Sequence, residues 1–418
     1  MAIQGENMAK IRVIQFHPYD PTHPNVGGIG SIIRALIKFA PHDFDIYFVG
    51  VSVDIQLHPV GRWQQLELDG RSFHFLPVME APIGRREKIP RTLKFAWALW
   101  RHRAQIDLHG ALLEFHRIEP SAVFWLASNH KILFLHGHHG KDYYNPKSEV
   151  KWSRFPAIYF WLERHLIARI KQVYIVRADA VTHYQQHYPA MRDCIQFIPT
   201  WVDETVFHPL PVSGRRQLKQ QFARQHQFDR GKKILLFVGR FVGQKNPLLL
   251  LQAYQEFKRH RDDTILIMIG VGELESDMRR FILEQGLGAD VRILAPRSHQ
   301  QISEWMNAVD CLCLSSAFEG MPVVLLEALY CGVPVVSTDA GEAARLIPND
   351  NIGRLVREHA PLPFMLAIMQ ILSQPSDPWA CQQQAAPYTA QTILHRLHSR
   401  YRELVESVGA KPPSEAAR

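Results

Sequence analysis

The sequence predicts an α/β protein built as two Rossmann-like units in series. Short apolar runs of strand length alternate with longer amphipathic segments, the rhythm of parallel strands joined by helices. That rhythm breaks once, at the polar, Pro-bearing stretch IPTWVDETVFHPLPVSGRR that begins at Ile198. The chain has 418 residues, more than one typical domain holds.

Taken in order, IRVIQF (11–16) reads as a buried strand. The Gly-rich loop HPNVGGIG follows, then a helix from about Ser31 to Phe39 and a strand, DIYFVGV (45–51). After several short units, KILFLHG (131–137) reads as a strand ending in histidine. YFWLERHLIARIKQVY reads as a helix, and ADAVTHY and IQFIP as strand-like. Beyond the linker, KKILLFVGR (232–240) opens the second series. Helices are expected at 247–260, 273–286 and 299–308, and strands at TILIMIG (264–270), VRILA (291–295) and CLCLS (311–315). A helix from near Val323, the strand VPVVST (333–338) and helices after Pro361 complete it. The expected domains are 8–205 and 206–388, with a disordered tail at 409–418 and Met8 as the natural start.

Lys and Arg number 48 against 40 Asp and Glu, a formal charge of +8. A basic balance suggests a nucleotide, a nucleic acid or an anionic membrane as partner. No nucleic-acid recognition module is present, which counts against that class. Cys194, Cys311, Cys313, Cys331 and Cys381 form no CxxC pair, so reduced thiols in a cytosol are expected. No uninterrupted apolar run is long enough for a bilayer-spanning helix. The N-terminus MAIQGENMAK carries no signal-like apolar stretch.

The chemistry concentrates in FEGMPVVLLEALYCGVPVV (318–336), where Glu319 and Glu327 flank a mostly apolar segment. A strand ends near Ser315, a loop holds Glu319 and Gly320, and a helix starts near Val323. Ligands in such sheets bind at the carboxyl ends of strands. Amides around Met321, Pro322, Val323 and Val324, at a helix N-terminus, favour a phosphate. Glu327, one turn on, is placed to accept from a ribose diol, and Glu319 to reach a sugar beyond the diphosphate. The alternative is a helix with two solvent-facing glutamates.

This segment, with its Gly-x-Pro and its EAL–CG–PVV–T continuation, resembles the E-x7-E motif of retaining, nucleotide-sugar-dependent glycosyltransferases of the GT-B fold. The likeness is closest to the large mannosyl- and glucosyltransferase-like family with many bacterial polysaccharide and lipid glycosyltransferases. It is strong over 232–356 and weaker before. FVGRFVGQKNPLLLLQAY resembles that family's phosphate-binding Arg and Lys, here Arg240 and Lys245. NVGGIGSIIRAL resembles its first Gly-rich loop, with Gly27 and Gly28 letting amides approach the diphosphate. His136 in FLHGHHGKDYYN resembles its N-domain histidine beside the donor sugar; a metal site of His136, His138 and His139 and a purely structural loop are the alternatives. Lys141 and Asp142 are candidates to face the acceptor. IGVGELES resembles its Gly-x-Gly turn near the base, with Gly270 and Gly272 retained but Val271 where an acid is common. Trp201, Glu342 and Arg345 also depart from the pattern.

The resemblance implies two Rossmann-like domains facing a cleft, with residues 389–408 crossing back to the N-terminal domain. It implies a retaining hexosyltransferase with His136, Arg240, Lys245 and Glu319 at the reacting centre. The donor would be GDP-mannose first, then UDP-glucose or another UDP-hexose, with no further cofactor and no metal. The acceptor would be a glycan or a lipid-linked glycan of bacterial surface polysaccharide assembly, at the cytoplasmic face of the membrane. The stretches 85–103 and 147–171 mix cations with aromatics, as a peripheral membrane contact or as core helices with solvated basic faces. A soluble-acceptor enzyme of carbohydrate metabolism is the nearest alternative. A catalytically silent glycan- or nucleic-acid-binding protein is the alternative from another class.

Overall fold

The computed structural model describes residues 10–23, 28–81, 89–136, 156–374 and 377–409. Among them the chain forms two parallel-sheet α/β lobes. The first sheet has the order β3-β4-β2-β1-β5-β6-β7-β8. Its strands are β1 (Ile11–Phe16), β2 (Phe44–Ser52), β3 (Gln64–Leu68), β4 (Arg71–Glu80), β5 (Leu112–Phe115), β6 (Lys131–Leu135), β7 (Gln172–Ile175) and β8 (Ile195–Phe197). Only the edge pair β3–β4 is antiparallel.

The second sheet is all parallel, in the order β11-β10-β9-β12-β13-β14. Its strands are β9 (Lys233–Val238), β10 (Thr264–Ile269), β11 (Val291–Leu294), β12 (Cys311–Leu314), β13 (Val335–Thr338) and β14 (Gly353–Val356). Helices cover both faces of each sheet, so central strands such as TILIMI are buried at every residue. In both sheets the order reverses beside the first strand, between β1 and β5 and between β9 and β12. That is the place where such sheets open a crevice at their carboxyl ends.

Two local expectations change. ADAVTHY is the start of a helix, Ala178–His187, and not a strand. Its alternating small residues suggest period two, but Ala180 and Tyr184, four apart, are what it buries. Conversely, the helix expected to run through Tyr174 stops at Ile167, and Gln172–Ile175 is strand β7. All four of its residues are buried between β6 and β8. The Pro-bearing linker also carries structure, since a helix begins at Val212.

The last helix, Ala390–Gly409, returns to the first lobe. Val202 and Thr389 pair as a parallel bridge where the chain leaves and re-enters that lobe. Glu204 then accepts from the amides of Ala390 and Gln391, both at 3.0 Å, and so caps the helix start. Ile393, Leu394, Leu397, Tyr401 and Leu404 join the apolar cluster of β1, β2 and the Gly28–Lys38 helix. Arg402 adds a bidentate pair to Asp43, at 2.8 and 3.0 Å.

Candidate active site

A cleft of about 590 Å³ lies between the carboxyl ends of the two sheets. Its C-terminal wall contains Arg240, Lys245, Arg297, His299 and the run Phe318–Val324, with Glu327 behind them. Its N-terminal wall contains His17, Tyr19, Gly28–Ile32, Arg91, His116, Arg117 and His136.

Helix N-termini reach the cleft from both lobes. The helix Val323–Tyr330 starts after Pro322 with no side-chain cap, so its first amides face the cleft unclaimed by a capping side chain. The helix Gly28–Lys38 starts opposite, and a Cβ built on Gly28 would touch the Val323 side chain at 3.4 Å. Both dipoles therefore favour an anion in the gap.

The expected charges are present, and they are coupled. Lys245 Nζ donates to Glu319 Oε1 at 2.5 Å, and Ser316 Oγ donates to the same oxygen at 2.6 Å. Arg240 Nη2 donates to Gln244 Oε1 at 3.1 Å, and Gln244 Nε2 donates to the Phe318 carbonyl at 3.2 Å. Lys245 and Glu319 are thus bonded to each other, and Arg240 reaches the carbonyl beside Glu319 through Gln244, where the sequence suggested separate tasks. A buried carboxylate such as Glu319 is tolerable because Lys245 and Ser316 satisfy it.

Glu327 differs. It is buried, and its carboxyl makes no side-chain hydrogen bond among the described residues. Burial, with the nearby charge of Asp203, pushes its pKa up to about 8. A carboxyl held in that state on a cleft wall has acceptor capacity to offer a ligand hydroxyl.

Glycines at the lobe junction are fixed by close approach. A Cβ on Gly320 would meet the His136 carbonyl oxygen at 2.4 Å, so the acidic loop lies directly against the histidine strand end of the other lobe. Gly270 and Gly272 are also fixed by close approach, since Cβ atoms there would run into the backbone of Gly239 and Phe241. They let the backbone that carries Arg240 pass close by.

The departures at Glu342 and Arg345 find a structural use. Glu342 Oε1 accepts from the Ala178 amide at 2.8 Å, capping the Ala178–His187 helix from the opposite lobe. Arg345 Nε holds the other carboxylate oxygen at 2.7 Å. Arg177 donates to the Glu319 carbonyl at 2.9 Å, and Thr200 Oγ1 to the Met321 carbonyl at 3.2 Å. The two lobes are thereby clasped beside the site. Trp201 is buried in the core under the crossing helix.

Gly27, His138, His139, Lys141 and Asp142 lie outside the described residues, as do 85–88 and 147–155 of the basic-aromatic stretches. Among the described residues, no group of three or more His, Cys, Asp or Glu is placed to hold a metal ion. No described helix is long and apolar enough to cross a membrane. Sequence reading missed His17, His116, Arg91, Arg117, Arg297 and His299 on the walls. His116 had a signal: it follows the strand-like run LLEF as His136 follows KILFL.

Residues 219–387 match the model of the family Glycosyl transferases group 1. A D-inositol 3-phosphate glycosyltransferase of Pseudarthrobacter chlorophenolicus is 31% identical over 186 residues, 44% of this chain and 42% of that protein. The Vi polysaccharide biosynthesis protein VipC/TviE of Salmonella typhi is 35% identical over 107 residues, 26% of this chain and 18% of that protein. The matched region therefore spans less than half the length of either relative. Sucrose-phosphate synthase from Thermosynechococcus elongatus has a similar structure, with a TM-score of 0.73 at 17% identity, covering 95% of this chain and 100% of that one. HepE of Anabaena, solved in complex with UDP and glucose, has a TM-score of 0.70 at 16% identity, covering 94% and 100%. The chain carries a glycosyl transferases group 1 domain in its C-terminal half and has, over nearly its whole length, the two-lobed GT-B fold of glycosyltransferases.

Proposed function

We propose that the protein is a retaining hexosyltransferase that uses a nucleoside diphosphate sugar as donor. The carrying observation is one cleft that holds Arg240, Lys245, the N-terminus of Val323–Tyr330 and the buried Glu327, whose carboxyl has no side-chain partner among the described residues. In this reading Glu327 accepts from the ribose diol, and Arg240, Lys245 and the helix amides hold the diphosphate. Their charge is most useful as the diphosphate leaves and gains negative charge. Glu319 and His136 face the sugar. The acceptor hydroxyl attacks from the leaving-group side, and a phosphate oxygen takes its proton. The cations stand in for a divalent metal, so turnover survives EDTA.

The UDP and glucose held by HepE support a nucleotide sugar as donor class. UDP-glucose and GDP-mannose are the donors to test first. The name of the Vi relative supports an acceptor of polysaccharide chemistry, and that of the D-inositol 3-phosphate glycosyltransferases supports a phosphorylated acceptor. Arg91 and Arg117 on the N-terminal wall suit an acceptor that carries an anionic group. A lipid-linked acceptor is supported by exposed Trp97 and Trp100 near Arg101 and Arg103, and by exposed Ile158 and Trp161 near Arg164. That arrangement suits the cytoplasmic surface of a membrane.

A thermal-shift screen across nucleotide sugars tests the donor, since a ligand that binds only the folded state raises its melting temperature. Stabilisation by UDP or GDP with release of hexose on turnover is the expected outcome. No shift with any nucleoside diphosphate at millimolar concentration would overturn the reading.

A further inference from the structure

The N-terminal wall contains a buried relay that ends at the cleft. Glu114, on β5, is fully buried and accepts three hydrogen bonds. They come from Gln15 Nε2 on β1 at 3.0 Å, His116 Nε2 at 3.0 Å and the Tyr401 hydroxyl of the crossing helix at 2.5 Å. His116, itself 1% exposed, places Nδ1 at 3.0 Å from His136 Nε2. The two imidazoles lie nearly parallel, with centroids 5.3 Å apart and planes at 10°. Phe134 stacks on His116 as well, at 5.0 Å and 17°.

With His116 neutral, these contacts set a proton order. A carboxylate only accepts, so Nε2 of His116 carries its proton. A neutral His116 then has its lone pair on Nδ1, and His136 must donate from Nε2 to meet it. His136 Nδ1 is left with the lone pair. The tautomer of one imidazole is set by the hydrogen bond its other nitrogen makes, and here the instruction passes through two rings. Stacking sets the ring plane at the same time.

We propose that Glu114, acting through His116 and held by Tyr401, is the positioning residue that fixes the tautomer and ring plane of His136. The inference rests on the reading of His136 as a donor-sugar contact. It gives the crossing helix a role at the cleft beyond packing. The carboxylate that orders the histidines is held by a hydroxyl 287 residues away in sequence.

The test is ¹⁵N NMR of the histidine-labelled full chain, with His136→Gln to assign the signal. Wild type should show His136 protonated at Nε2. Glu114→Gln keeps the shape but offers His116 an amide donor as well as an acceptor, so His136 should shift towards the Nδ1-protonated form. Tyr401→Phe removes one donor without moving the ring and should give a smaller shift. It is the variant to read if Glu114→Gln does not fold. Unchanged His136 signals in a folded Glu114→Gln or Tyr401→Phe protein would overturn the relay.

Turnover of the nucleotide sugar gives the second arm. In Glu114→Gln, kcat should fall about 10- to 100-fold, the size of a misplaced contact. The Kd for the free nucleoside diphosphate should stay within about twofold, because a general loosening of the cleft would move both. A shifted tautomer with wild-type kcat would overturn the positioning role. His136→Ala separates the two claims: full turnover in that variant sinks the sugar-contact reading itself, while the NMR result still decides the relay.

Discussion

The C-terminal wall of the cleft draws its charges from loops that follow strands in one continuous stretch of chain. Arg240 and Lys245 follow β9, and Glu319 follows β12 and bonds directly to Lys245. The N-terminal wall takes His17, His116 and His136 from the ends of β1, β5 and β6, and orders two of them with a residue of the last helix. In one wall the bonded charges Lys245 and Glu319 lie 74 residues apart and come from the same lobe. The other is ordered by a hydroxyl 287 residues away, brought in by the last helix. The first kind is expected to fail one residue at a time in chemistry. The second should respond to changes far from the cleft.

The largest expected effect tests the first wall. Arg240→Ala and Lys245→Ala should each lower kcat by about 10²- to 10³-fold, the scale of losing a preorganised charge at a developing anion. Lys245→Ala should also lower the melting temperature, since Ser316 would be left as the side-chain donor to Glu319 among the described residues. Turnover within twofold of wild type in both variants would remove the phosphate assignment from this wall.

Glu327→Gln should weaken nucleoside diphosphate binding by about 10- to 100-fold, the value of a charged hydrogen bond. Calorimetry measures it, and pH sharpens it. The folded-state pKa of Glu327 is raised to about 8 from 4.5, so the folded state holds a proton that the unfolded state has lost between those values. This group's contribution to stability is therefore complete below about pH 4.5 and is lost as pH rises towards 8. Glu327→Gln should flatten that part of the pH–stability curve. A ribose diol donates to the ionised carboxylate, so nucleotide binding near pH 7 should release a proton. Equal calorimetric heats in phosphate and Tris buffers would show that no proton leaves and would sink the diol contact.

The clasp between the walls should give a smaller effect. Glu342→Ala removes the cap that one lobe supplies to a helix of the other, and should cost about 1 kcal/mol in denaturant unfolding. An unchanged unfolding midpoint would mean that the clasp carries no stability.

The smallest effect concerns the outer surface of the N-terminal lobe. The protein should co-sediment with anionic vesicles more than with neutral ones, with about 1 kcal/mol gained per cation near the surface. Trp97→Ala with Trp100→Ala should weaken the salt-resistant part of binding. No sedimentation of wild type at low ionic strength would favour the soluble-acceptor enzyme and leave the cleft assignments untouched.

The alternation of apolar runs determined the α/β class and almost every strand of the C-terminal lobe, because fully buried parallel strands must be apolar at each position. FEGMPVVLLE likewise determined a loop acid, a helix N-terminus and a second acid one turn on, because all three lie within a few residues of each other. What the sequence could not carry was any partner far away along the chain. Ala178–His187 is a helix whose first amide is capped by Glu342, 164 residues on. Gly270 and Gly272 follow the nucleotide-turn pattern, and the neighbouring backbone at Gly239 and Phe241 adds a packing demand that the pattern does not show. The pairing of Lys245 with Glu319, the burial of Glu327, and the order Tyr401–Glu114–His116–His136 were decided by the tertiary structure alone. Periodicity and spacing report what a residue does within a turn or a strand, whereas hydrogen-bond partners and desolvation depend on which segments folding brings together.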